Sequence, residues 1–166
     1  MTGASNSPRL SLAALVCTKP GRRPWLIYRV HKDRRRRNDR RKGFTERDYA
    51  CLLDAAHQQL GGPVILIWDN LNTHISHAMR ELTAARSWLT VYQLPSYAHE
   101  LNPVEPVWSH LKRSLANLTK HNLAQLTALV KTRLKRMQYR PGLLGGFLAS
   151  TGLDLTPFRT SAIEDL

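Results

Sequence analysis

The chain has 166 residues, 42% of them hydrophobic, which is enough for one core but leaves no room for a second full-sized domain. Twenty-five Lys and Arg residues oppose twelve Asp and Glu residues, and the formal net charge of +13 favours a polyanionic partner. No apolar run approaches the roughly 20 residues of a membrane-spanning helix, so nucleic acid is the preferred partner and a membrane is not expected. Cys17 and Cys51 lack the spacing of a disulfide framework or a zinc site.

The first predicted elements form a β-hairpin after a short disordered N-terminus. Residues 1–8 are small and polar, without the pattern of a signal peptide, so we expect an unstructured start to a cytoplasmic, nucleoid-associated protein. Residues 10–17 and 25–30 are apolar and partly β-branched or aromatic, and the Pro20-Gly21 pair between them is a strong turn signal. Two antiparallel strands joined by a hairpin are therefore predicted.

An arginine-rich segment follows, over residues 32–42, in which only Asp33 and Asp39 oppose the positive charge. Because burying such a run is too costly, it is predicted to be an exposed loop or arm. It can track backbone phosphates without reading sequence, each contact adding to a salt-dependent affinity. For any single arginine, the alternative is a solvated side chain that binds no ligand. The candidate nucleic-acid-binding residues of the segment are Arg34, Arg35, Arg36, Arg37, Arg40 and Arg41.

A helix and a buried strand come next. Thr45 and Asp48 have the spacing of a capping box, and apolar residues at helical spacing continue as far as Gly61, which predicts an amphipathic helix. Residues 64–68 are a continuous apolar, β-branched run typical of a strand buried on both faces. The run ends in Asp69, and the end of such a strand is where α/β folds present chemistry.

The chain continues with a second pair of a helix and a strand. A short helix is predicted over residues 76–85 and a strand over residues 88–94, followed by a loop over residues 95–101. Strands that alternate with helices in this way indicate an α/β fold.

The last part of the domain is predicted to be helical. Asn102 as N-cap and Pro103 at the first helical position open one helix, and residues 123–137 form a basic amphipathic helix. Residues 9–150 are thus assigned to one domain and residues 151–166 to a polar C-terminal tail.

Asp69 and Glu105 are the candidate metal ligands. One ends a buried strand, the other stands in the first turn of a helix, and hard Mg²⁺ prefers such oxygen ligands. Each has a simpler interpretation: Asp69 begins a turn, and Glu105, at the third position of a helix capped by Asn102, reaches back to the cap backbone. Asn70 and His74 either orient Asp69 or serve as turn and cap groups. Spacing alone leaves these alternatives open.

The order of residues around the two carboxylates is specific. Asp69 stands in the run WDNLNTH of residues 68–74, and Glu105 ends the run LPSYAHELNPVE of residues 94–105. These ordered runs resemble the catalytic core of the IS630/Tc1-mariner transposases, within the DDE superfamily of endonucleases, and the resemblance extends over residues 9–152.

This resemblance implies an RNase H-like α/β core, with a mixed sheet flanked by helices, that cuts and joins double-stranded DNA. Asp69 and Glu105 match the second and third carboxylates of an Asp, Asp, Glu triad that holds two Mg²⁺ or Mn²⁺ ions. Double-stranded DNA is the expected partner, with self-association on DNA, and no small-molecule cofactor is expected. Lys112, on the helix of Glu105, is a candidate backbone contact, with a solvated surface lysine as the alternative.

The chain departs from the family at the first carboxylate of the triad. In the family that aspartate lies on a central strand upstream of the hairpin, and residues 1–8 contain neither an acidic residue nor a strand pattern. The sheet is therefore expected to lack its first central strand, which leaves unpaired backbone facing a gap. Three functions remain as alternatives: a fragment of a transposase core, a non-catalytic DNA-binding remnant of a transposase, and an RNase H-like nuclease that completes its site by another route.

Overall fold

The computed structural model of the chain describes residues 9–33, 43–117 and 122–153. Outside these described residues lie the six arginine candidates, Arg34, Arg35, Arg36, Arg37, Arg40 and Arg41. The fold is mixed α/β. Its elements in chain order are β1 (Arg9–Cys17), β2 (Trp25–Asp33), α1 (Glu46–Leu60), β3 (Val64–Trp68), α2 (Asn72–Ile75), α3 (His77–Ala84), β4 (Leu89–Gln93), a short 3-10 helix (His99–Leu101), α4 (Val104–Leu115), α5 (Leu123–Gln138) and α6 (Pro141–Ser150).

Strands β1 and β2 form the predicted hairpin. They pair antiparallel over their whole length, from Arg9 opposite Asp33 to Cys17 opposite Trp25. Gly21 in the connecting turn has a φ of 73°, a left-handed conformation that glycine adopts without strain. The hairpin is confirmed, and β2 extends three residues beyond the predicted strand because its pairing with β1 continues.

Strands β3 and β4 form a separate parallel pair, with Val64 opposite Leu89 and Trp68 opposite Gln93. Within the described ranges no ladder joins this pair to the hairpin, so these residues form two two-stranded sheets, where the prediction was a mixed sheet that lacks its first central strand. One edge of β1 and one edge of β3 therefore carry no strand partner among the described residues.

Only one face of β3 is buried. Val64, Leu66 and Trp68 are buried, whereas Ile65 is 69% exposed and Ile67 is 40% exposed. The prediction of a strand buried on both faces is therefore wrong for the described part of the chain. The reason is tertiary, because α1 and α3 pack on one face of this sheet while Ile65 and Ile67 stay uncovered on the other.

Helix α1 links the two sheets. Leu52 and Ala56 pack against the hairpin, and Leu53 packs against Leu66 and Trp68 of β3. Adjacent positions of one helix thus bury themselves on different sheets. Helix α1 therefore packs on both sheets, and Leu15 of β1 also packs directly against the core beneath β3.

The opposite face of the hairpin is covered by α4, α5 and α6, which build the largest core. Trp108 of α4 packs against this core. Helix α6 was not predicted, because its three glycines lower helix propensity, but burial of Leu144 and Leu148 offsets that cost. No helix in the described ranges is long and apolar enough to cross a membrane. The buried residues of the core are Leu26, Val107, Leu111, Val130, Leu134, Met137 and Leu144.

Local capping signals give the helix ends correctly. Thr45 and Asp48 form the predicted capping box of α1, and Gly61 ends the helix with a φ of 67°. The short helix expected from residue 76 is α3, whose N-cap Ser76 accepts a hydrogen bond from the backbone N–H of Met79 at 3.1 Å. The single turn α2, directly before it, was not predicted.

Candidate active site

Asp69 and Glu105 open onto one pocket between the two sheets. Asp69 follows the last residue of β3, and Glu105 lies in the first turn of α4. The pocket has a volume of about 170 Å³. Its walls include residues 12–15 of β1, residues 67 and 68 of β3 and Asp69 directly after it, so it occupies the space between the two unpaired strand edges. The structure thus brings together the two carboxylates selected from the sequence.

Asp69 is oriented by hydrogen bonds within its own segment. Its Oδ1 accepts from the backbone N–H of Leu71 at 3.2 Å and lies 2.9 Å from Nδ1 of His74. The first contact is an Asx turn, so the simpler interpretation of Asp69 as a turn residue also holds. The side chain remains 33% exposed, and Oδ2 makes no hydrogen bond to a described residue. Asp69 is therefore fixed in direction but still free to bind a ligand.

His74 is the residue that holds Asp69. Its ring stacks on Trp68 with the centroids 4.2 Å apart and meets Tyr49 edge-on at 4.7 Å. Burial lowers the pKa of His74 from its ordinary value, and this effect outweighs the nearby Asp69 carboxylate, which raises it. The neutral ring therefore donates its Nδ1–H to Asp69, and its buried Nε2 has no hydrogen-bond partner in the described ranges.

Asn70 does not contact the Asp69 carboxylate. Its Nδ2 donates to the carbonyl of Leu94 at 2.8 Å and lies 3.3 Å from Oγ of Ser96. Asn70 therefore ties the end of β3 to the loop after β4. His74 and Asn70 were both considered as groups that orient Asp69. The structure shows that His74 contacts the Asp69 carboxylate, whereas Asn70 connects β3 to the loop after β4.

The first turn of α4 presents Glu105 without using it as a cap. Asn102 Oδ1 accepts from the N–H of Val104 at 3.1 Å, and Pro103 occupies the cap position. The helix begins one residue later than predicted, so Glu105 stands at the second helical position, where a capping box does not form. It is exposed, and α4 has no cap hydrogen bond from it. The side chain of Asn102 thus makes the predicted cap hydrogen bond although the helix is assigned one residue later, whereas the capping interpretation of Glu105 is wrong.

The pocket has the donor chemistry of a divalent-cation site. Asp69, Glu105 and Asn102 contribute side-chain oxygens to its lining, and hard cations such as Mg²⁺ prefer oxygen ligands. Tyr49 also lines it, and burial, together with the Asp69 carboxylate, raises the pKa of this phenol. In the described part of the chain no three His, Cys, Asp or Glu residues cluster as a metal site. The described lining of the pocket thus contains two carboxylates, whereas the family resemblance implies three.

Two further polar residues lie near these carboxylates. His99, on the 3-10 helix, is exposed and shares with Asp69 a neighbouring pocket of about 290 Å³. No sequence signal assigned His99 a role, because its proximity to Asp69 depends on how the loop after β4 folds. Lys112 is exposed two turns after Glu105 on the same face of α4, about 10 Å along the helix axis.

The chain matches one protein family and resembles a solved structure. The family described as DDE superfamily endonuclease matches residues 12–129, more than half of the chain, including Asp69 and Glu105. No curated protein matches. A structure described as "Mos1 transposase paired-end complex with left transposon end" is similar at 13% sequence identity and a TM-score of 0.49, over 88% of this chain and 55% of that chain, so the chain spans about half of its length. From the family match, the chain belongs to the DDE superfamily endonucleases.

Proposed function

We propose that the chain is part of the catalytic core of a DNA transposase of the IS630/Tc1-mariner group, in which Asp69 and Glu105 are two of the metal-binding carboxylates. The observation that carries the proposal is the single pocket onto which both carboxylates open. The family supports it, because DDE superfamily enzymes normally use divalent metal ions. Bound Mg²⁺ or Mn²⁺ would activate an attacking oxygen and stabilise charge on the phosphodiester.

The residues around the pocket have separate roles in this function. Asp69 and Glu105 hold the metal, His74 keeps Asp69 in one orientation through its Nδ1–H, and Lys112 contacts a backbone phosphate of double-stranded DNA. Self-association on DNA and an RNase H-like sheet belong to the same proposal. No described acidic residue lies within ion-pair distance of Lys112, which leaves its charge available to DNA.

The third carboxylate is placed on an additional strand between β1 and β3. The two strand edges that face the pocket have no described partner, and unpaired backbone N–H and C=O groups readily pair with an added strand. Apolar side chains from both sheets, Leu12 and Leu15 on one side and Ile67 on the other, line the same space. A strand there joins the two sheets and brings an aspartate beside Asp69.

A matched pair of fusions tests this function. A short apolar strand is fused ahead of Arg9 with a central Asp in one version and Asn in the other, and nicking of supercoiled plasmid DNA is measured with Mg²⁺ or Mn²⁺. We expect both strands to raise the melting temperature and only the Asp version to nick. Asp69→Asn and Glu105→Gln should each abolish nicking, whereas Glu81→Gln, an exposed carboxylate on α3, should not.

Two outcomes would contradict the proposal. If both fusions are stabilised and neither nicks DNA with either metal, Asp69 and Glu105 are not part of a catalytic site. If the chain without a fusion nicks DNA and both substitutions abolish this, the site is complete without the added strand, which favours the RNase H-like nuclease.

A second function, that of a non-catalytic DNA-binding remnant, is favoured by one observation. The described residues supply two carboxylates to the pocket and no cluster of three potential ligands. This function predicts salt-dependent DNA binding that Asp69→Asn and Glu105→Gln leave unchanged, with no metal dependence. Binding that tightens on addition of Mn²⁺, and loses this response in either variant, would exclude it.

A further inference from the structure

A second cluster of polar side chains lies apart from Asp69 and Glu105, between α4, α5 and α6. It forms a pocket of about 100 Å³, which is large enough for several water molecules or for one phosphate group in their place. Three of the lining residues are arginines, and a serine and a histidine of α4 complete the polar lining. The polar lining residues are His110, Ser114, Arg133, Arg136 and Arg140.

The positive charge of this pocket is not balanced by any acidic residue that the structure describes. Residues 106–153 contain no Asp or Glu, and none of the three arginines forms an ion pair with a described residue. Nε of Arg133 is buried and has no hydrogen-bond partner in the described ranges. Like charges that converge and a buried donor left unpaired both cost free energy, and an anion in the pocket relieves both costs.

We propose that this pocket binds one phosphate group of a DNA backbone. The planar guanidinium group presents donors in a fork that matches phosphate oxygens. Arg133 offers its buried Nε, and the exposed Arg136 and Arg140 offer further N–H groups at the mouth of the pocket, whereas the hydroxyl of Ser114 donates to the carbonyl of Leu111 at 2.7 Å. Among the described residues, the lining has no carboxylate to oppose an anion.

The site is distinct from the pocket of Asp69 and Glu105. With 100° of rotation per residue, His110 and Ser114 lie about 140° and 180° around α4 from Glu105. A phosphate bound there is therefore not the phosphodiester that reacts. It is a phosphate elsewhere on the DNA, which the cluster holds in place without reading its sequence. The proposal rests on the proposed function only in taking DNA as the partner.

The experiment compares two double variants, one at Arg136 of α5 and Arg140 before α6 and one at two lysines of α5, that remove the same charge. Arg136→Gln with Arg140→Gln changes two exposed residues at the mouth of the pocket. Lys131→Gln with Lys135→Gln changes two exposed residues on the opposite side of the helix. Affinity for a fluorescent DNA duplex is measured over a range of salt concentrations, and circular dichroism checks that each variant is folded. Arg133, which is half-buried, is changed only to Lys, to keep the charge and remove the fork.

We expect the arginine pair to weaken binding about tenfold or more and to lower the slope of log affinity against log salt by about one to two. The lysine pair should weaken binding by less than about threefold, and Arg133→Lys should weaken it more than the lysine pair does. Equal losses in the two double variants would overturn the site, because general charge would then explain both. That result would not bear on the proposal that Asp69 and Glu105 bind metal.

A second arm separates a DNA phosphate from free phosphate. Inorganic phosphate is added at constant ionic strength and the melting temperature is measured. If phosphate stabilises the chain while the arginine pair binds the duplex as tightly as the unmodified chain, the pocket takes a free anion and the proposal is wrong. If phosphate competes with the duplex, and competes less in the arginine pair, the proposal is supported. If the unmodified chain does not bind the duplex before phosphate is added, the proposal is wrong.

Discussion

Replacing His74 with Phe separates the orientation of Asp69 from the packing of the ring that holds it. A phenyl ring can keep the stack on Trp68 and the edge contact with Tyr49. It loses the 2.9 Å hydrogen bond from Nδ1 to Asp69 Oδ1. The same change also removes Nε2, which is buried and unpaired in the described ranges. Stability and metal binding should therefore respond differently.

The expected change in the free energy of unfolding is small. A hydrogen bond to a charged group contributes about 1.5–3 kcal/mol, and the lower end applies because Asp69 is 33% exposed. Removing a buried polar atom without a partner recovers a cost of about 1–3 kcal/mol. These terms oppose each other, so His74→Phe should change the free energy of unfolding by about 1 kcal/mol or less.

Metal affinity should fall much more. Groups that orient a metal ligand typically contribute about 10–100-fold to metal affinity, and His74 is the only described side chain that hydrogen-bonds the Asp69 carboxylate. Isothermal titration with Mn²⁺ at about pH 7.5, where His74 is neutral, gives the affinity, and urea unfolding gives the stability. The predicted result is roughly a tenfold or greater loss of affinity in a variant of nearly unchanged stability.

His57→Phe is the matched control. His57 also stacks on a tryptophan, Trp88, with the centroids 4.0 Å apart, and its Nδ1 lies 3.0 Å from the carbonyl of Gly62, but it does not line the pocket of Asp69. His57→Phe should leave Mn²⁺ affinity unchanged. If His74→Phe binds Mn²⁺ as tightly as the unmodified chain while Asp69→Asn does not, His74 has no orienting role.

Three other predictions concern pH, thiol reactivity and an ion pair. Burial lowers the pKa of His74 below 6.5, so the unfolded chain binds the proton first as pH falls. The stability that the neutral ring contributes is therefore lost below pH 6.5, and urea unfolding at several pH values should show this loss. An equal loss in His74→Phe would refute the prediction. Burial raises the pKa of the Cys17 thiol to about 12. A thiol reagent at about pH 8 should therefore label only the exposed Cys51 in the native chain, and both cysteines in denaturant. Rapid labelling of two thiols in the native chain would contradict the burial of Cys17. Arg86→Gln breaks a bidentate salt bridge to Asp54, with contacts of 2.6 and 2.8 Å. It should lower the free energy of unfolding, measured in urea, by about 0.5–1 kcal/mol, a small effect because Asp54 is 44% exposed. An unchanged free energy of unfolding would show that solvent screens the pair fully.

Local signals in the sequence predicted the features that depend on local chemistry. The hairpin follows from two apolar runs around Gly21, and the start of α1 follows from the capping box of Thr45 and Asp48. The order of residues around Asp69 and Glu105 was specific enough to predict that both belong to one site, and both line one pocket.

Features that depend on distant parts of the chain could not be predicted in the same way. Burial on both faces of β3 was inferred from its apolar residues, but burial requires a covering element, and Ile65 has none among the described residues. Helix α6 forms although its glycines disfavour a helix, because α4 and α5 offer a surface on which Leu144 is buried. The arginine pocket likewise depends on the rotation of α5 against α4, which places Arg133 beside Ser114.

The most direct test of the metal site is paramagnetic broadening of amide resonances by Mn²⁺, which detects weak binding in the chain as it stands. Broadening should begin at the amides of Asp69 to Leu71 and of Val104 and Glu105, and Asp69→Asn or Glu105→Gln should each remove it. Glu81→Gln, at an exposed carboxylate on α3, should leave it intact. Broadening that is centred elsewhere, or that persists in both pocket variants, would contradict the assignment of Asp69 and Glu105 as metal ligands.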